Sequence, residues 1–168
     1  EYAKILGDLL MKRTNENSYV KHNIALGIYN IARYLAQHGH GKQAVHFGLL
    51  LLQTVRLSIV NSNRILFVSN IAEELAMHGQ GEHAYILTKT MFKSIVLYHH
   101  QHRLSKIIDV MGILLEKKQT NVALKLATMM FQEKELEKTG ILKKVHGCFS
   151  GLGQGELLAD MNTSEPYK

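Results

Sequence analysis

Apolar positions recur at intervals of three and four through most of the chain, the period of helices that bury one face. Between residues 20 and 38 the pattern is carried by Ile24, Ile28, Ile31 and Leu35, with the small Ala25, Ala32 and Ala36 among them. Gly39-His40-Gly41 interrupts it. Glycine takes the left-handed backbone conformation that ends a helix cheaply. The same spacing predicts helices over about 42–60, 64–78, 82–98, 103–117 and 121–137, then a poorer pair over 141–149 and 155–161. Asn61-Ser62-Asn63 punctuates the series and offers an N-cap. Gly79-Gln80-Gly81 and the polar stretch 98–102 are further breaks, and Gly140 opens the last unit. Gly151, Gly153 and Gly155 read as a flexible corner, and residues 162–168 as a frayed tail.

These elements repeat. Residues 31–44, IARYLAQHGHGKQA, return at 71–84 as IAEELAMHGQGEHA, an offset of 40 between Ala44 and Ala84. A third copy, VMGILLEKKQTNVA at 110–123, brings Ala123 a further 39 residues on. A fixed period of this size is the mark of a solenoid, in which each helical hairpin buries its apolar face only by stacking on the next. The expected fold is all-α: antiparallel helical hairpins over 20–60, 64–98 and 103–137 with a partial unit over 141–161, one domain spanning 1–161. EYAKILGDLLMKR at 1–13 aligns with QAVHFGLLLLQTV, Ala3 against Ala44, and reads as an orphan second helix. The chain is therefore expected to be a fragment of a longer protein.

In the two best units a small residue lies twelve before an alanine (Ala32 and Ala44, Ala72 and Ala84), and a glycine lies five before it (Gly39, Gly79). An apolar residue lies nine before it in all three units: Leu35, Leu75 and Leu114. This is similar to the tetratricopeptide (TPR) pattern over about 20–137. The unit is longer than the family's roughly 34 residues, the closing proline is missing, and Lys118 and Met111 stand where the third unit should have glycine and a small residue. Long units of this kind resemble the regulatory domains of the Rap, NprR and PlcR group of peptide-sensing quorum regulators. The resemblance implies a right-handed superhelix whose first helices line a concave groove.

Two positions before the small residues are Asn30 and Asn70, with Asp109 at the same place in the third unit. A carboxamide offers an acceptor and two donors, so a ladder of them can hold the main chain of an extended peptide while neighbouring pockets select side chains. The resemblance implies that use for Asn30 and Asn70. Tyr29, Arg33 and Gln37, then Leu66, Ser69, Glu73 and Met77, are the flanking candidates, with Leu26, Ser105 and Gly112 beside them. Arg33 either receives a peptide carboxylate or pairs with Glu73 of the neighbouring helix. The asparagines either bind ligand or bond between helices.

A net charge of +6 suggests acidic partners, but the basic residues are scattered and carry no interleaved aromatics. Nucleic acid is expected only through an absent domain, such as a helix-turn-helix, or the output is direct sequestration of a response regulator. The ten histidines include His38, His40, His99, His100 and His102, yet no HExxH or paired Cys motif accompanies them, so no metal is expected. Gly39-His40-Gly41-Lys42 lacks the spacing and the strand of a phosphate loop. Cys148 is the single cysteine, read as a small buried thiol in a reducing cytosol. Met77, Met91, Met129 and Met130 read mostly as core filling, with a minority lining an adaptable pocket. No catalytic constellation, cofactor site or membrane-spanning run is expected. The favoured reading is a regulatory domain that binds a short signalling peptide, with a second copy of the chain as a further candidate partner; a constitutive protein–protein scaffold is the alternative.

Overall fold

The structure, a computed structural model, describes residues 18–55, 62–97 and 103–161. Seven α-helices follow in order: α1 (Ser18–Gln37), α2 (Gly41–Val55), α3 (Ser62–Met77), α4 (Gly81–Leu97), α5 (Ser105–Glu116), α6 (Thr120–Phe131) and α7 (Ile141–Gly151). Short 3-10 segments cover Lys134–Thr139 and Gly155–Met161. Every regular element among the described residues is helical. The predicted helix over 1–13, the histidines at 99, 100 and 102, Asn61 and the tail 162–168 lie outside them.

The first helices of the units pack in sequence, α1 on α3, α3 on α5 and α5 on α7. The second helices pack as another row, α2 on α4 and α4 on α6, and each first helix also packs on its own second helix. Ala25, Ile28, Ala32 and Ala36 are the buried line of α1; of the other apolar positions in the predicted pattern, Ile24 and Leu35 are half-buried and Ile31 is exposed. Ala32, Ala44, Ala72, Ala84 and Ala123 are all fully buried, so the phrase that marks the repeat is also its packing core. Met111 fills the small-residue position of the third unit and is fully buried too, which shows that this unit tolerates a larger side chain there.

The turn between first and second helix is built four times. His40 N–H donates to Leu35 O, Gln80 to Leu75, Gln119 to Leu114 and Gln154 to Phe149, each at 2.8 Å. Each bond spans a residue with positive φ: Gly39 at 81°, Gly79 at 76°, Lys118 at 59° and Gly153 at 71°. This is the helix-ending loop in which a left-handed residue lets two orphan carbonyls find donors. Lys118 adopts it without glycine's freedom. The expected flexible corner at 151–155 takes the geometry of a fourth copy of the turn, and α7 is a fourth first helix.

The second glycine of each turn has a different cause. A Cβ at Gly41 would strike Gln80 Oε1 and the His83 ring, and one at Gly81 would strike the Gln119 side chain. Those glutamines reach back one unit: Gln80 Nε2 donates to Ala36 O at 2.6 Å and Gln119 Nε2 to Ala76 O at 3.0 Å. Each clips the exposed end of the preceding first helix. At the next step Thr120 replaces the glycine, and Gln154 Oε1 accepts from its hydroxyl at 3.1 Å. The sixth helix, expected to reach 137, stops at Phe131 and gives way to the 3-10 turn Lys134–Thr139, whose Leu136 is still buried. No helix among the described residues is long and apolar enough to cross a membrane.

Candidate functional site

The outer face of the first-helix row carries one stripe per helix, at the four-three-four spacing of a helical surface. On α1 it is Leu26, Asn30, Arg33 and Gln37, all exposed. On α3 it is Leu66, Asn70, Glu73 and Met77, of which Met77 is exposed and the others half-buried. On α5 it is Ser105, Asp109, Gly112 and Glu116, with Asp109 and Glu116 exposed. Because these helices pack side by side, repeat-equivalent positions lie next to one another. Eight of the nine predicted site residues belong to this face; Tyr29 sits beside it.

Tyr29 is half-buried on the side of α1 that meets α3, where its ring stacks on Phe67 with centroids 4.7 Å apart. Asn70 Nδ2 points to its hydroxyl at 3.5 Å, the long limit of a hydrogen bond, so Asn70 is only loosely tied to its neighbour. Asn30 is exposed, and no partner for it is found among the described residues. Ser69, a flanking candidate, is fully buried and donates to Leu66 O at 2.9 Å, which removes it from the face.

Arg33 does not pair with Glu73. Its Nε donates to Glu74 Oε1 at 2.6 Å, and Gln37 Nε2 donates to the same oxygen at 3.1 Å. The repeat places residue 73 on the same solvent-facing stripe as residue 33; a lateral contact needs the residue one step round the helix, which is 74. The Glu74 side chain is only 11 % exposed. Its hydrogen bond and charge push the Arg33 guanidinium further above its ordinary value. His78 Nε2 lies 3.5 Å from the second Glu74 oxygen.

Glu73 is left differently. Its Oε1 is buried without a hydrogen-bond partner. Burial raises its pKa, with the Lys106 charge partly opposing and Asp109 and Glu74 adding to the rise. Lys106 is engaged elsewhere, donating to Asp109 on its own helix at 2.8 Å, a bond that lifts the ammonium pKa. Asp109 therefore offers an already paired carboxylate rather than a free rung.

Glu74, Phe67 and Lys106 are the residues that sequence spacing missed. Phase arithmetic finds equivalent positions, whereas these contacts join non-equivalent ones. Among the described residues no cluster could hold a metal ion. Cys148 is half-buried, its Sγ 3.9 Å from Ile108 O, and burial raises its pKa, so the thiol is not activated. Set beside protein-family models, curated proteins and solved structures, the chain matches none. Function rests on the chain's own geometry.

The opposite row presents another surface. Ile86 is 46 % exposed on α4, and the Tyr85 ring beside it has Lys89 Nζ at 5.5 Å and Lys125 Nζ at 5.6 Å from its centroid. Lys125 also bonds Glu82 at 2.6 Å.

Proposed function

We propose that the first-helix row binds a short, extended peptide, and that this is the sensing half of a regulatory protein. The helical hairpins would stack as a TPR-like right-handed superhelix, with this row lining its concave side, as the likeness to the Rap, NprR and PlcR group suggests. The single observation that carries the reading is the in-phase alignment of Asn30 and Asn70, accessible amides on adjacent packed helices, with Leu26, Leu66 and Met77 as apolar surface around them. Such an arrangement can serve a peptide backbone without regard to its sequence. Binding would favour one curvature of the superhelix or one dimer arrangement over another, and so reach an output domain or a response regulator.

A cytoplasmic location and a peptide or protein partner follow from the same reading. The Tyr85–Lys89–Lys125 patch favours the second reading, a scaffold that holds an acidic partner protein on the second-helix row. Selection from a randomised short-peptide library, followed by NMR mapping of the selected peptides, separates the two. Shifts of the Asn30 and Asn70 side-chain amides support the peptide reading. Shifts confined to α4 and α6 replace it with the scaffold.

A further inference from the structure

Contacts in two of the seams between successive first helices share one register. Arg33 of α1 meets Glu74 of α3, and further along the row a Cβ on Gly112 of α5 would lie 3.7 Å from Cys148 Sγ of α7. Residues 33, 73 and 112 are equivalent, as are 74, 113 and 148. Carried over to α3 and α5, the same register would set Glu73 beside Ile113, with Lys106 and Asp109 the α5 charges that act on it. The first seam joins a cation to a carboxylate, and the next would offer a carboxylate an apolar neighbour. A Glu73 oxygen is buried there with no hydrogen-bond donor, while Lys106 bonds Asp109.

An unpaired, half-buried carboxylate costs stability and is retained where something else supplies the charge. Glu73 lies between Asn70 and Met77 on this stripe and is half-buried, so part of the side chain is open to a ligand laid along it. We propose that Glu73 receives a lysine or arginine side chain of the peptide bound on this face, an inference that rests on the peptide reading above. The ligand's cation takes the place that Arg33 fills for Glu74. The peptide's basic residue would then sit beside the Asn70 rung, with its alkyl stem over Met77 and Ile113.

The test uses the full chain and the same randomised short-peptide library. Wild type is expected to enrich peptides with one dominant basic position, and replacing that residue with norleucine should weaken binding about tenfold. In Glu73→Gln the norleucine penalty should vanish, and in Ile113→Lys, which supplies the missing cation from within, the preference should be lost. Melting curves establish that both variants fold, and the isosteric Glu73→Gln keeps the test valid if Ile113→Lys does not. Enriched peptides without a basic position, or a basic preference that survives Glu73→Gln, overturn the proposal and leave the peptide reading intact. A library from which wild type selects nothing overturns both.

Discussion

The seam between α1 and α3 and the seam between α3 and α5 use the same register to different ends. In the first, Arg33 and Gln37 both reach Glu74, and Tyr29 lies flat on Phe67. In the second, a Glu73 oxygen is buried without a hydrogen-bond partner and Lys106 bonds Asp109 on its own helix. The two seams share the glutamine clip at their helix ends, at Gln80 and at Gln119. The difference is thus confined to the outer face. One seam is closed by a hydrogen-bonded ion pair, and the next leaves a Glu73 oxygen without a hydrogen-bond donor although the Lys106 charge acts on it. The proposed peptide cation would use that difference.

The largest expected effect breaks the closed seam. Glu74→Ala removes the acceptor shared by Arg33 and Gln37 and should cost about 1–2 kcal/mol in urea unfolding. Arg33 is exposed, so the ionic part should shrink as salt is added. A loss indistinguishable from zero would mean that the pair does not hold the seam. Gln80→Ala and Gln119→Ala should each cost about 1 kcal/mol. Near-equality of the two keeps the difference on the outer face; a much larger loss for one would move it to the helix ends.

Lys118→Gly should raise stability by about 0.5–1 kcal/mol, since glycine occupies the left-handed position without strain. The smallest effect sharpens the comparison. A raised Glu73 pKa means that the folded chain holds that proton more tightly than the unfolded chain. Its favourable contribution is full below the ordinary carboxylate range and is lost as pH rises through the raised folded value. Glu73→Gln should therefore gain a few tenths of a kcal/mol at neutral pH, discounted for solvent screening, and nothing near pH 3. Thermal melts at the two pH values check the sign.

The helical order and its period were legible in the sequence because apolar spacing and the repeated glycine phrase report directly on buried faces and helix ends. Gly39 and Gly79 are read correctly from local backbone chemistry. Gly41 and Gly81 are not, since their reason is a glutamine that arrives from the next unit. The fourth turn was hidden by its shortened spacing, Ala123 to Leu158 being 35 residues, and by the loss of the alanine. The 3-10 turn at 134–139 replaced the end of a predicted helix where the charged run KELEK leaves only Leu136 to bury. At the candidate site, phase placed Asn30, Arg33, Asn70 and Glu73 on one face. It could not say that Arg33 would choose Glu74, because lateral partners sit one step round the helix from equivalent ones.

The most direct measurement is calorimetry of a library-selected peptide against wild type and the Asn30→Ala, Asn70→Ala double variant. If the first-helix face clamps a peptide backbone, affinity should fall at least tenfold while the melting temperature stays within a few degrees. An unchanged affinity in a folded double variant would contradict peptide recognition by this face.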